Sequence, residues 1–546
     1  MRVKALHIPE FSRFATAAMT ILLLGLAISA SADVVAVRRN LDKYWLYRQT
    51  QRTDFLVPGL GQGYSLPANT RNPDTHVIWW GDATIDLGWY IGALATEHYM
   101  LTHPELFPGY VSGGGDLSQV RSELCYALVA MDRVDAVAEA CWDPLAVDTP
   151  GFFIRDDVPS TFLSHFPGMN VLGSDFTNPD VWAKEMSQDQ VVHVLLGLSL
   201  VKKLIPADLV VYGVNLRQTA IDRGAEIVDW VHQDGWIIQN PVLGTDVVRG
   251  PDARAFGTGF NKSCVYLTDG AVDFGGTISG FYAWVWSTLS SPTNPAYDNA
   301  NNLHMAMSLA ATGNGWGNDT LDDLMSLAVE HQWYAYVLLY AALYDPIPRT
   351  RPSWLGHQQT LNGLVQTMVN QSPANGTPHH PLNEGELNTG WCASRKFIRG
   401  ISTQNNGEGA LGEWYPGLDY LLLHNLFYIV TPALWEDPTP PAPGSVTGFA
   451  AASGDQQVSL SWTNPGDGVF SGTMIQYKTT GYPTRTTDEN LLVDRLALPG
   501  SSDSYVHTSL TNSSAYYYRA FSHSDVPIYG LRPQVLPVSV EVLRTP

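Results

Sequence analysis

The sequence predicts a mainly α-helical protein, an (α/α) toroid built from about five to six helical hairpins and followed by a small all-β sandwich. Apolar residues recur at helical spacing through most of residues 33–435. Long and short connections alternate between these helices. Beyond a proline-rich segment, short runs of alternating polarity replace the helical pattern. With 45% hydrophobic residues among 546, the chain can bury a large core.

The helical region is predicted to consist of hairpins whose long connections all lie at one end. The longest connections follow odd-numbered helices, so successive antiparallel pairs bring them together, and function is expected at that end. Even-numbered helices are apolar nearly all round, as in an inner ring, whereas odd-numbered ones are amphipathic. The predicted helices cover residues 36–55, 84–102, 116–141, 187–204, 215–233, 276–290, 296–312, 325–344, 353–371 and 417–430.

Two of these inner helices begin with recognisable stretches, WWGDATIDLGWYIGALATE and EMSQDQVVHVLLGLSLVKKL. Together with the alternation of inner and outer helices, they resemble the six-hairpin (α/α) toroid superfamily, which includes many bacterial glycosidases and polysaccharide lyases. The resemblance spans about residues 33–435. It implies a carbohydrate-active domain but identifies no catalytic residue individually.

Residues 436–444 form a proline-rich linker that cannot continue a helix. The segment 445–546 then shows short strands separated by Gly, Pro, Asn and Ser, as in a sandwich of about 100 residues. It resembles a fibronectin type III domain, with Trp462 on the second strand, Tyr477 on the third, and Leu510 and Tyr516 at the tyrosine corner. The resemblance implies a spacer or a weak surface-binding module without chemistry.

Residues 1–32 have the pattern of a secretory signal peptide: a basic start, an apolar run and a small-residue cleavage site near Ala32. We expect a secreted chain, extracellular or periplasmic, that does not insert into a membrane. A net charge of −21 disfavours nucleic acid as a partner. Four cysteines in an oxidising compartment predict up to two disulfides, with the pairing left open. The sequence does not determine the oligomeric state.

Carboxylates cluster where the inner helices begin, and glycoside cleavage needs two of them, one as acid and one as nucleophile or base. The candidate catalytic residues are Asp82, Asp86, Asp189 and Glu413, with Asp82 or Asp86 pairing with Asp189 or Glu413. Asp269 and Asp273 are expected at the same end. Asp189 has a structural alternative, since acidic residues in a first helical turn also complement the helix dipole.

Aromatic rings beside polar groups are a natural lining for a sugar groove. The candidate substrate-binding residues are Trp79, Trp80, Trp89, Asp157, Glu384, Glu386, Trp391, Arg395 and Trp414. A core position is the alternative for the tryptophans, and a turn or surface salt bridge is the alternative for Asp157.

These residues predict a glycoside hydrolase acting on a polysaccharide or oligosaccharide, with no cofactor. A polysaccharide lyase would favour basic residues in the groove over carboxylates, and a non-catalytic carbohydrate-binding or adhesive surface protein could use the same tryptophans. The sequence contains no HExxH zinc motif and no GxSxG elbow. GTGFNKS at 257–263 lacks the second glycine of a phosphate loop.

Overall fold

The computed structural model describes two compact units that divide between Asp437 and Pro438. A helical region precedes a region of β-strands, which confirms the coarse fold class. The described residues are 34–110, 115–142, 150–172, 186–238, 251–275, 338–339, 342–343, 414–435, 443–466, 470–483, 490–523 and 538–542.

The described part of the first unit contains seven α-helices. Six of them begin within two residues of the start of a predicted helix. The first continues as a short π-helix, Gln51–Phe55, which completes the predicted segment 36–55. Predicted helices 276–290, 296–312 and 353–371 lie outside the described residues, and 325–344 lies mostly outside. The helices are α1 Val34–Thr50, α2 Ala83–Thr102, α3 Leu117–Trp142, α4 Gln188–Leu204, α5 Leu216–Gln233, α6 Pro251–Leu267 and α7 Leu418–Val430.

Helix α6 lies between the predicted helices 215–233 and 276–290, where no helix is predicted. Two glycines, Gly257 and Gly259, lower the helix propensity of this segment. A Cβ at Gly257 would lie 2.7 Å from the ring of Trp236, so this glycine allows α6 to approach the end of α5. GTGFNKS is therefore helical rather than a phosphate loop.

Helices α2 and α4 run parallel and touch backbone to backbone. A Cβ at Gly88 would lie 2.8 Å from the Val194 nitrogen, and one at Gly197 would lie 3.1 Å from Ile91 Cβ. Further along, Gly92 faces Leu200. Residue numbers increase in the same direction on both helices, so both begin at the same end of the bundle.

Helix α7 is also parallel to α2, since Leu422 lies beside Gly92 and the amide of Asn425 donates to Thr96 Oγ1 at 3.2 Å. The amphipathic helix α3 is antiparallel to α2. Its Arg121 lies against His98, and its Glu123 accepts from Tyr90 at 2.6 Å, nearer the start of α2.

Helix α5 is joined to α4 by a short connection that contains the hairpin of β4 (Val210–Val211) and β5 (Val214–Asn215). It runs antiparallel to α6, because Gly224 lies against Leu267 whereas Trp236 lies against Gly257. Helices α2, α4, α6 and α7 therefore share one orientation, and α3 and α5 run in the opposite direction.

The long connections meet at the N-terminal end of α2. Strand β1 (Thr70–Asn72) pairs antiparallel with β2 (Val77–Trp79), and β2 pairs parallel with β3 (Asn170–Leu172). Arg71 of β1 also pairs with Trp414, which directly precedes α7. Residues from three separate connections thus form one small sheet at this end.

The second unit is a sandwich of two antiparallel sheets with strand orders β10-β7-β6 and β12-β11-β8-β9. Trp462 and Tyr518 are buried between the sheets. The strands are β6 Thr447–Gly454, β7 Gln457–Thr463, β8 Gly472–Lys478, β9 Asn490–Leu496, β10 Ser502–Thr508, β11 Tyr516–His523 and β12 Val538–Val542.

The expected pair of disulfides finds no support, because Cys125 and Cys264 are both free, buried thiols. The side chains of Cys141 and Cys392 lie outside the described residues. Among the helices of the described segments, none is long and apolar enough to cross a bilayer.

Candidate functional site

The first turn of α2 holds two of the candidate catalytic carboxylates. Asp82 is the N-cap residue and Asp86 lies in the first turn, four residues later, so both face the same side of the helix start. Both are nearly buried, with 4% of Asp82 and 1% of Asp86 exposed. Carboxylates in this position are stabilised by the positive end of the helix dipole.

A single buried side chain, Asn69, holds the two aspartates in place. Its side-chain oxygen accepts a hydrogen bond from the Asp82 backbone N–H at 2.7 Å, and its amide donates to the Asp86 carboxylate. The Asn69 backbone N–H donates in turn to the Trp79 carbonyl at 2.8 Å, which ties it to β2. Rotation of the Asp86 side chain would therefore break a buried hydrogen bond, whereas Asn69 fixes Asp82 through its backbone.

Arg155 pairs with Asp82 from the connection between α3 and α4. Its Nη1 lies 2.8 Å from Asp82 Oδ1, and both side chains are buried. The backbone beside it is fixed because the Ile154 N–H donates to the Val134 carbonyl of α3 at 3.2 Å. Removing either partner would leave a buried, uncompensated charge.

Asp157 fastens two long connections together. Arg133 of α3 donates to its two carboxylate oxygens at 2.5 and 3.1 Å, and the Gly63 N–H donates at 3.1 Å. The side chain is fully buried. Its oxygens are bonded and shielded from solvent, which agrees with a salt bridge as the alternative for Asp157, and substrate binding by Asp157 stays a prediction.

Asp189 lies in the first turn of α4, at the same end as Asp82 because α2 and α4 are parallel. It is half-buried, and its carboxylate accepts from the Gln190 N–H at 3.1 Å and from the Ser187 hydroxyl. Ser187 and Gln190 also form a capping box. Asp189 therefore contributes to the start of the helix, in keeping with its structural alternative, while facing the shared end.

The four described tryptophans of the candidate site divide into two pairs. Trp80 is fully buried, donates from Nε1 to the Leu66 carbonyl at 3.1 Å and packs against phenylalanines. Trp89 is 1% exposed and packs against His193. Neither ring has an accessible face, which agrees with the core alternative for Trp80 and Trp89, and sugar binding by them stays a prediction. Trp79 and Trp414 are half-buried at the end where the long connections meet.

Two further aspartates that were expected at this end lie elsewhere. Asp269 follows the C-terminus of α6, and Lys202 near the C-terminus of α4 donates to its carboxylate at 2.6 Å. Asp269 is thus at the opposite end of the helices from Asp82, and Asp273 follows it in the same turn region. The unpredicted helix α6 caused this error, since it reverses the chain direction. Glu413, Glu384, Glu386, Trp391 and Arg395 lie outside the described residues.

Sequence reasoning missed the roles of Asn69, Arg133 and Arg155. Asn69 bonds the backbone of Asp82 and the carboxylate of Asp86, 13 and 17 residues away, and Arg155 contacts Asp82 across 73 residues. The available signal was compositional: a basic residue directly before two aspartates, and an asparagine ahead of the tryptophan pair. Neither signal identifies a partner.

A second polar cluster lies deeper among the helices and is closed on itself. Arg48 of α1 bridges Glu97 of α2 at 2.8 Å and Glu123 of α3 at 2.5 Å, and Arg52 adds a contact to Glu123 at 2.8 Å. Burial alone would raise the pKa of Glu123, but the two arginines outweigh it, so the pKa lies below its ordinary value. Two cations balance two anions, and the cluster serves to hold three helices together.

Within the described ranges, no group of three or more His, Cys, Asp or Glu side chains could hold a metal ion. A scan against protein-family models finds no match, and a search of curated proteins finds none either.

Proposed function

We propose that the chain is an exported glycoside hydrolase whose reaction takes place at the N-terminal end of α2. The observation that carries this proposal is the pair Asp82 and Asp86, two nearly buried aspartates at the end where the long connections meet. Asn69 bonds the Asp82 backbone N–H and the Asp86 carboxylate. The signal-like residues 1–32 support export.

The proposed hydrolase requires a second carboxylate across the substrate, and the parallel helix α4 offers Asp189. Axes of packed helices lie about 8–10 Å apart. Inverting glycosidases keep their carboxyl groups about 6.5–9.5 Å apart to admit a water molecule. Side chains on the first turns of neighbouring parallel helices fit that spacing, so we propose an inverting enzyme with Asp86 and Asp189 as the acid and base. Glu413, one residue before Trp414, is the alternative partner.

The half-buried rings of Trp79 and Trp414 support a sugar as the ligand. They lie on the sheet beside the carboxylates, and an aromatic face matches the apolar face of a pyranose. A lyase must neutralise a uronate with a cation. Arg155 is already paired with Asp82, which favours a hydrolase over a lyase.

A carbohydrate-binding protein without catalysis is the second candidate. It is favoured by the burial of Asp82 and Asp86, whose carboxylates bond Arg155 and Asn69. In that case Trp79 and Trp414 would bind sugar and the aspartates would only shape the surface.

The two candidates are separated by Asp86→Asn. Asparagine has the same shape and can still bond Asn69 after a flip of its amide, so the fold is retained while the acid is lost. We expect reducing-end release from a polysaccharide panel to fall by at least about 100-fold, as general acid–base catalysis supplies roughly 10²–10⁴-fold. The matched control is Asp208→Asn, an exposed aspartate in the short connection at the other end.

Equal activity of Asp86→Asn and Asp208→Asn would exclude Asp86 as a catalytic residue. Retention of sugar in a pull-down with no cleavage by the parent would support the binding protein instead. Asp82→Asn is less informative, because loss of its buried pair with Arg155 is expected to lower stability by about 3–5 kcal/mol.

We further propose that the helical unit is a closed (α/α) toroid. Support comes from the shared orientation of α2, α4, α6 and α7 and from the opposite orientation of α3 and α5. Helix α6 also raises the number of expected helices by one, towards six hairpins. A crystal structure in which these four helices do not line one ring would contradict the proposal.

For the second unit we propose a fibronectin type III domain. Support comes from its three- and four-stranded sheets, the buried Trp462 and the Tyr516 hydroxyl, which accepts from the Thr511 N–H at 3.0 Å as in a tyrosine corner. Its role as a spacer is tested by comparing polysaccharide binding of the full chain with that of a chain truncated after Trp435.

A further inference from the structure

An exposed tyrosine lies in a strained turn at the end of the helical unit opposite to Asp82 and Asp86. Tyr212 lies at the tip of the β4–β5 hairpin with 70% of its surface exposed. Its φ of +50° is followed by +86° at Gly213, which defines a two-residue turn with both central residues in the left-handed region. Asparagine, aspartate or glycine is favoured at the first position, and a bulky residue there is strained.

The ring of Tyr212 is held in a fixed orientation. It stacks on Tyr126 of α3 with centroids 5.7 Å apart and planes within 10°. Its hydroxyl lies 2.9 Å from the hydroxyl of Ser122, which itself donates to the Ser118 carbonyl at 3.0 Å. The Cys125 thiol donates to the Val211 carbonyl at 3.5 Å, which fastens the hairpin to α3. One face of the Tyr212 ring is therefore covered and the other faces solvent.

We propose that Tyr212, supported by Tyr126 and Ser122, is a binding platform for a neutral carbohydrate chain, separate from the carboxylates at the other end. An outlier backbone conformation that persists at an exposed aromatic residue points to function. A flat ring flanked by hydroxyl groups matches the apolar face and hydroxyls of a sugar.

The size and charge of the platform favour this ligand over others. One tyrosine side chain offers a contact surface on the order of 150 Å². A stable protein interface needs about 1,000 Å². The net charge of −21 repels anionic polymers, which leaves uncharged sugars as the favoured class.

The test uses Tyr212→Asn in the full chain. Asparagine removes the ring yet suits the turn, so this variant is expected to fold at least as well as the parent. Tyr212→Phe keeps the ring, and Leu498→Asn is the control, since Leu498 is 77% exposed in the β unit. The probes are laminarin, amylopectin and hydroxyethyl cellulose, with alginate as the anionic comparison, in affinity gel electrophoresis.

We expect at least one neutral polysaccharide to retard the parent, Tyr212→Phe and Leu498→Asn equally. The dissociation constant of Tyr212→Asn should be about three- to tenfold higher than that of the parent, because this variant loses one aromatic contact. Equal retardation of Tyr212→Asn and the parent would overturn the proposal, as would retardation by alginate alone or by none of the four. The proposal does not depend on cleavage, so its failure leaves the Asp86→Asn result unaffected.

Discussion

Replacement of Gly88 by alanine tests the close approach of α2 and α4 that brings Asp82 and Asp189 to one end. The added Cβ would lie well inside contact distance of the His193 carbonyl and 2.8 Å from the Val194 nitrogen. Both are backbone atoms, so no change of rotamer can relieve the clash and the helices must separate.

Overpacking of a core costs about 1–3 kcal/mol, and a clash with backbone belongs at the upper limit or beyond. Alanine regains about 1 kcal/mol of helix propensity over glycine. We therefore expect Gly88→Ala to lower the free energy of unfolding by about 2 kcal/mol or more.

Gly92→Ala on the same helix is the matched control. Its Cβ would meet Leu200 Cδ1 at 3.0 Å, and the end of a leucine side chain can move. The same gain in propensity should leave this variant as stable as the parent or slightly more stable. Guanidinium unfolding followed by circular dichroism at 222 nm measures both. If Gly88→Ala proved as stable as Gly92→Ala, the parallel, closely packed arrangement would be refuted.

Three further predictions concern charge, thiols and the β unit. Burial, partly offset by Arg223, raises the pKa of Asp135 from 3.8 to about 6. The folded state then binds the proton more tightly than the unfolded state, so the contribution of Asp135 to stability falls as pH rises from about 4 to 6. In Asp135→Asn the melting temperature should therefore depend less on pH across that range. Burial raises the pKa of Cys264 to about 12. Iodoacetamide at pH 8 should therefore label this thiol only after unfolding, and mass spectrometry measures the labelling. Labelling of the native chain would contradict the burial of Cys264. Tyr516→Phe should destabilise the β unit by about 0.5–1.5 kcal/mol in a melting experiment, and an unchanged melt would show that the bond from Thr511 contributes nothing.

Part of the candidate site was predictable, because residues close together in the sequence have fixed relative positions on a helix. The four-residue spacing of Asp82 and Asp86 at a helix start places both carboxylates on one side by helical geometry alone. The roles of Trp80 and Trp89 were not predictable in the same way. Their residue types suit a core or a groove equally well, and only the position of neighbouring helices decides whether a ring face is open.

The sequence by itself determined six of the seven described helix starts, the change to a β unit after the proline-rich segment and the carboxylates of α2 and α4, because periodicity, capping and turn residues act over a few positions. Only the tertiary structure decided that Asn69 bonds the Asp86 carboxylate and Arg155 the Asp82 carboxylate, that Asp157 fastens two connections and that Asp269 lies at the far end. These outcomes depend on contacts between residues far apart in the chain. In α6, Gly257 has a weak helix propensity, but it allows the helix to pack closely against Trp236. No local sequence pattern reveals this contact.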